Sequence, residues 1–325
     1  MNEKSFWHPV AYSTALKKTP LAVTLSEESV VLWRNGEGQA KAMRDLCIHR
    51  GVALSLGKVS DGALTCAYHG WRYNSEGRCI HIPQLAHGGN IPTKARIKTF
   101  QCCERYGLVW VALEEPHFEL PEVPELVKPE WQIVETGPFS WRSSAGRQVE
   151  NFTDFAHFPF VHPELLGDPE RAIVPPHLVK QEGNILYYEI LRPEAKNTEE
   201  FPIFANPNQD QPLRHNRYRL YLPYTIVLRV GWPGTTKEMI YFFSSQPVRR
   251  NVCLGYCLIA QNYQPFEPDK LKDFEKIIFS QDQKIVESQR PEQVPFDLSA
   301  ELHLKFDAVA VAYRRAMEQL GFELY

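Results

Sequence analysis

Two short clips, Cys47-Ile48-His49 and Cys66-Ala67-Tyr68-His69, stand sixteen residues apart and constrain the chain more than any other feature. Together they offer two thiolates and two imidazoles. With 7 Cys and 11 His in 325 residues, chance places these residue types at these positions in about one chain in 10⁴ of this length. A [2Fe–2S] cluster needs four protein ligands, and in one variant two His replace two Cys on one iron. Each clip then gives its Cys to one iron and its His to the other, so the two loops must fold to face each other. A Cys2His2 zinc site is the rival reading, but its clips are normally Cys-x-x-Cys and His-x₃₋₅-His rather than mixed.

The flanks agree with the cluster. Arg50-Gly51 and Gly70-Trp71 follow the two clips, and glycine lets backbone approach sulfur, where amide hydrogen bonds tune the potential. On Cys-x-His-Arg-Gly and Cys-x-x-His-Gly-Trp, the first third of the chain resembles the Rieske domain of the Rieske non-heme iron oxygenases. A cluster domain alone carries electrons, so the remaining two hundred residues decide the function.

These contain a second constellation, from Asn151 through Asp154 and His157 to His162. Asn151, Asp154 and His157 are three apart and share one face of a helix. His162 lies five further on, and Pro159 predicts a bend that lets both imidazoles converge. Phe152, Phe155, Phe158 and Phe160 are expected to wall the pair off from water. Two His plus one carboxylate with open positions is the ligand set of mononuclear Fe(II) oxygenases. The third ligand is sought on a helix predicted over 268–290, opened by Pro268 and striped with Leu271, Phe274, Ile278, Ile285 and Val286. Asp282 interrupts that stripe, and a buried carboxylate needs a partner such as a metal. Glu287 falls beside Lys284 and Arg290 and is read as a solvated acid. The expected ligands are therefore His157, His162 and Asp282.

Formal charge is −3, which argues against nucleic acid or an anionic membrane as partner. No run of eighteen apolar residues and no signal peptide after Met1-Asn2-Glu3-Lys4 is found, so a cytoplasmic enzyme is expected. Cys79, Cys102, Cys103, Cys253 and Cys257 are expected to be reduced. Short strands are predicted at 21–25, 30–33, 40–44, 71–73, 78–82 and 108–113, with Asn35-Gly36 as a hairpin turn. Prolines 116, 121, 124 and 129 mark a linker. Longer strands at 185–191, 217–222, 225–230, 238–245 and 252–261 predict an antiparallel sheet, covered by helices over 268–290 and 304–320. The expected class is α+β: an all-β Rieske [2Fe–2S] domain over 1–118 and an antiparallel-sheet, helix-grip catalytic domain over 119–325. A polar loop over 199–211 is a candidate lid.

The family resemblance extends to Glu104-Arg105-Tyr106-Gly107-Leu108-Val109-Trp110, His157-Phe158-Pro159-Phe160-Val161-His162 and Ala312-Tyr313-Arg314-Arg315. These stretches look like the single-component α3 oxygenases: vanillate and dicamba O-demethylases and the saxitoxin-pathway Rieske oxygenases. The resemblance implies a mononuclear Fe(II), O₂ as co-substrate and a homotrimer in which one subunit's cluster feeds the next subunit's iron. It makes Asp154 the acid bridging His69 of a neighbour to His157. It places Asn151 near the iron, although a polar residue near a helix start is an equal reading. The implied chemistry is hydroxylation or oxidative demethylation of a small organic substrate, with aromatic cis-dihydroxylation as an alternative. A further alternative is an electron-transfer or redox-sensing protein with a vestigial iron site. No Gly-x-Gly-x-x-Gly occurs, so NAD(P)H acts only through a partner reductase or ferredoxin.

Overall fold

The structure, a computed structural model, describes residues 2–86, 89–193 and 213–322, so the candidate lid over 199–211 lies outside the described residues. The chain divides into two compact units, Glu3–Leu120 and the remainder from Pro121.

Among the described residues the first unit is built from ten short strands. They are β1 (His8–Tyr12), β2 (Leu21–Leu25), β3 (Glu28–Arg34), β4 (Ala40–Arg44), β5 (Lys58–Ser60), β6 (Ala63–Thr65), β7 (Arg72–Tyr73), β8 (Cys79–His81), β9 (Thr99–Arg105) and β10 (Leu108–Ala112). Six form one antiparallel sheet in the order β1-β10-β9-β4-β3-β2, and β5-β6-β7-β8 form a second. One core of Val10, Leu25, Val30, Leu32, Val109 and Val111 closes the larger sheet. Another, with Val31, Trp33, Leu54, Leu64 and Tyr73, encloses Cys47 and Cys66. The β3–β4 connection departs from the expected Asn-Gly turn. Its left-handed residue is Gly38, and the Asn35 side chain accepts from the amides of Glu37 and Gln39 instead.

The second unit holds a seven-stranded antiparallel sheet in the order β11-β17-β16-β15-β14-β13-β12. Its strands are β11 (Gln132–Trp141), β12 (Lys180–Glu182), β13 (Ile185–Pro193), β14 (Leu213–Tyr221), β15 (Thr225–Gly231), β16 (Glu238–Arg249) and β17 (Val252–Gln261). The run Met239-Ile240-Tyr241-Phe242-Phe243 at the centre of the sheet is buried throughout, as a strand covered on both faces requires. At β14, Arg214, Asn216, Tyr218 and Leu220 are buried and alternate with more accessible residues, because successive side chains point to opposite faces.

Among the described residues four α-helices accompany this sheet: α1 (Ala145–Thr153), α2 (Phe158–Val161), α3 (Pro268–Val286) and α4 (Ala308–Gln319). The α3 helix stops four residues short of the predicted end and α4 starts four residues later than predicted. Ring stacking holds α3 down: Phe279 lies flat on Phe139 of β11 at 4.1 Å. Burying such a ring contributes about 2–3 kcal/mol. Ile285, expected in the apolar stripe, is instead exposed, and Phe279, not expected there, is buried. Gly255 of β17 lets α1 approach, since a Cβ there would meet Phe243 at 2.9 Å and Gln148 at 3.0 Å. Gln148 of α1 in turn accepts from Ser245 Oγ at 2.6 Å.

Candidate active site

The two clips adopt the same turn. The Gly51 amide donates to Cys47 O at 2.9 Å and the Gly70 amide to Cys66 O at 3.1 Å. Both glycines have positive φ, +70° and +72°, a conformation that L side chains avoid. The turns bury both cysteines and bring the His49 and His69 rings to 4.5 Å between centroids. His49 stacks on Trp71 at 4.4 Å, and its Nδ1 is buried without a hydrogen-bond partner, as a nitrogen reserved for metal should be. Tyr73 Oη lies 3.1 Å from Cys47 Sγ, a contact the motif did not announce. These residues fit a [2Fe–2S] cluster. No disulfide joins any of the seven cysteines.

In the second unit the predicted ligands converge. The Nε2 atoms of His157 and His162 stand 3.4 and 2.9 Å from Asp282 Oδ1. One ligand atom from each residue lies within 4.8 Å of the others. Both Nε2 atoms are buried and neither makes a hydrogen bond. Each opposite nitrogen is tied down. His157 Nδ1–H donates to Asp154 Oδ2 at 3.0 Å, and His162 Nδ1–H donates to Gln281 Oε1 at 2.7 Å. Those bonds select the tautomer whose Nε2 lone pair faces inward. The Asn151 amide donates to Asp282 Oδ1 at 3.2 Å.

Charge balance favours a cation here. Burial lowers the His157 pKa, but Asp154 and Asp282 outweigh it and raise it to about 9. Burial raises the Asp282 pKa, but the two imidazoles outweigh it and bring it down to about 2. A site that holds a proton this firmly is suited to a metal ion in the same place. Two imidazoles, one carboxylate and open sides match a mononuclear iron.

Local structure departs from the sequence reading in four ways. The helix bearing Asn151 ends at Thr153, before Pro159. Asp154 caps it in extended conformation, its Oδ1 accepting from the Ala156 amide at 2.8 Å. Asp154 thus meets His157 across an Asx turn, not along a helix face. Pro159 opens α2 instead of bending α1. Phe160 is 65% exposed and is no part of the wall, whereas Phe152 and Phe158 line the cavity. Glu287 is not solvated: it accepts from the Arg142 amide at 2.9 Å, and this contact holds its carboxyl below the usual range despite partial burial.

His157, His162 and Asp282 sit at the wall of a cavity of about 620 Å³ including its mouth. Its sides are mostly apolar and aromatic, with Phe274, Ile278 and Phe279 from α3 and Leu228 and Val230 from the sheet. Arg192, Arg214, Asn216 and Glu275 also reach it, beside Asn151 and the hydroxyl-bearing Tyr218 and Tyr241. Sequence reasoning missed the first four. Glu275 interrupts the stripe of α3 as Asp282 does, and Asn216 shares the parity of Tyr218 and Leu220; these were the available signals.

Among the described residues no helix is long and apolar enough to cross a membrane. Residues 6–101 match the Rieske [2Fe-2S] domain, and residues 141–322 match the vanillate O-demethylase oxygenase C-terminal domain. The chain is 35% identical to methylxanthine N1-demethylase NdmA of Pseudomonas putida, over 98% of this chain and 89% of that one. It is 30% identical to methylxanthine N3-demethylase NdmB of the same organism, with the same coverage. A solved structure of the N1-demethylase QL mutant with caffeine superposes with a TM-score of 0.85 at 31% identity, covering 98% of this chain and 90% of that one. Dicamba monooxygenase bound to dicamba shares the fold, with a TM-score of 0.83 at 21% identity over 98% and 97% of the two chains. The α+β class, the cluster and the iron-dependent oxygenase activity expected from the sequence all stand on these findings, and the chain belongs to the Rieske non-heme iron oxygenases.

Proposed function

We propose that this terminal oxygenase removes a methyl group from nitrogen in a small organic substrate by hydroxylating it. The reading is carried by likeness, along nearly the whole chain, to two N-demethylases. The balanced reaction is R₂N–CH₃ + O₂ + 2e⁻ + 2H⁺ → R₂NH + HCHO + H₂O. When bound, iron supplies O₂ activation, with electrons arriving through the cluster from a separate reductase or ferredoxin. The chain supplies the rest. Cys47, His49, Cys66 and His69 hold the cluster, and residues 1–118 deliver electrons. His157, His162 and Asp282 hold the iron, and residues 119–325 perform the chemistry. Asp154 and Gln281 orient the imidazoles, and Asn151 fixes the Asp282 carboxylate. The aromatic walls exclude water while one methyl group faces the metal.

We also infer a homotrimer in which His69 of one subunit meets Asp154 of the next. Two observations support it. The Asp154 side chain is 43% exposed although its oxygens accept from Ala156 and His157, so it has a lone pair open to a neighbour. Leu46, Ile48 and Tyr68 surround the clips with exposed apolar surface, as a docking rim would.

The test is turnover with a surrogate reductase over N-methyl and O-methyl compounds. Formaldehyde in one-to-one ratio with demethylated product is expected. A diol carrying both oxygens of one O₂ overturns the reading in favour of cis-dihydroxylation.

A further inference from the structure

Resting on the oxygenase reading of this cavity, one feature of its wall goes beyond it. The cavity's apolar sides are interrupted on two faces. From the sheet comes Asn216, 2% exposed, whose Oδ1 is buried without a hydrogen-bond partner. From α3 comes Glu275, 4% exposed. Burial and the Asp282 charge raise its carboxyl pKa to about 8, although the Tyr241 hydroxyl hydrogen-bonds to it and the Arg214 guanidinium lies nearby. Strand register puts their surroundings together. Asn216 pairs with Val230, and Tyr218 pairs with Leu228, which pairs with Tyr241. These residues therefore share the sheet face that lines the cavity.

A dry acceptor such as Asn216 Oδ1 calls for a donor. A carboxyl group has lone pairs for a second donor whether or not it carries a proton. Arginines 192 and 214 oppose a cationic ligand, and the Asp282 carboxylate opposes an anionic one, so the ligand is uncharged. Phe152, Phe158, Phe274 and Phe279 supply apolar walls suited to a flat ring.

We propose that Asn216 and Glu275 are specificity-determining residues that select an uncharged, planar nitrogen heterocycle presenting a free N–H to their acceptor oxygens. A hydrocarbon ring or a fully N-methylated ring leaves Asn216 Oδ1 unpaired, and Glu275 with the Tyr241 hydroxyl alone, in a dry cavity. Sites built around such a hydrogen bond reject analogues that lack it far more strongly than apolar pockets reject an extra methylene.

Theobromine and caffeine differ by one ring N–H against N–CH₃ and are the probes. Binding to the cluster-loaded oxygenase is measured calorimetrically, without reductase, so that the result does not depend on turnover. Theobromine is expected to bind at least tenfold more tightly than caffeine. Asn216→Leu and Glu275→Leu, each with the cluster absorbance of the parent, remove the acceptor oxygens and are expected to shrink that preference to less than threefold. Equal or tighter binding of caffeine overturns the proposal, as does failure of both to bind or a preference that survives in both variants. None of these outcomes touches the demethylase reading, which stands or falls on formaldehyde release from the wider panel.

Discussion

Gln281 Oε1 accepts a hydrogen bond from His162 Nδ1–H at 2.7 Å, one residue before the carboxylate that faces the same imidazole's other nitrogen. One turn of α3 therefore sets both sides of His162. Gln281→Leu removes the acceptor and frees the ring to rotate or change tautomer. Iron affinity is expected to fall about 10–100-fold, while Gln281→Glu retains it. Iron content after dialysis against a graded chelator series checks this; equal retention in parent and Gln281→Leu argues against an orienting role.

Asp282 and Glu287 lie on one helix but do different work. Asp282→Ala is expected to abolish oxygenation and mononuclear iron binding while the visible cluster absorption persists. Glu287→Ala should keep the iron and cost about 1 kcal/mol of stability, through the lost bond to the Arg142 amide. The Arg142 side chain is 86% exposed, so its ion pair with Glu287 adds little. Metal analysis and denaturant melts of both variants separate the roles, and loss of iron from Glu287→Ala would reverse the assignment.

Asp154→Asn keeps the shape of the turn and removes the charge. Both metal sites should stay filled and the cluster should still accept electrons from a reductase. Reoxidation of the pre-reduced cluster by O₂ and substrate should slow at least 100-fold in a single turnover. Wild-type reoxidation with normal product yield would make Asp154 a bystander.

Tyr73→Phe deletes a hydroxyl 3.1 Å from Cys47 Sγ. Hydrogen bonds to cluster sulfurs favour the reduced, more negative state. The potential should therefore fall, by about 40 mV for each kcal/mol lost. A redox titration showing no change would mean that the hydroxyl does not bond the sulfur.

Acid should loosen the helices behind the iron site. Arg147 and Arg314 both bond Glu301, at 2.6 and 2.5 Å, and both also bond Glu150 of α1. Burial raises the Glu301 pKa, but the two guanidinium groups outweigh it and lower it. A lowered folded pKa gives stability that is present above the ordinary glutamate range and lost as pH falls through the folded value. The contribution is about 1 kcal/mol, since solvent reaches the edge of the pair. Unfolding midpoints by tryptophan fluorescence should drop more steeply below about pH 4.5 for the parent than for Glu301→Gln, and parallel curves would count against the network.

The clips and the His157–His162 pair were legible because metal ligation demands particular atoms at particular spacings, which survive without any tertiary context. Strands 21–25 and 252–261 were legible because alternating or continuous burial leaves its period in the sequence. The break at Asp154 was not, because an Asx turn and a helix both tolerate Asn-Phe-Thr-Asp, and the winner depends on the Ala156 amide. Glu287 misled because its partner is a backbone amide 145 residues away, and periodicity carries nothing about such contacts. Strand β11 was missed because Gly137 and Pro138 interrupt its pattern at the bulge between Thr136 and Phe139. Glu275 and Asn216 could have been found by asking which polar residues fall on core-facing positions.

Glu275 and Asp282 lie two turns apart on the same side of α3, which sets their Cα atoms about 10.5 Å from each other along the axis. A helix is stiff over that length, so the backbone acts as a ruler between the metal and the group that grips the far edge of the ring. On this view the helix decides which methyl of a polymethylated ring reaches the iron. Shortening the grip by one methylene, as in Glu275→Asp, should alter the position of attack before it alters the rate.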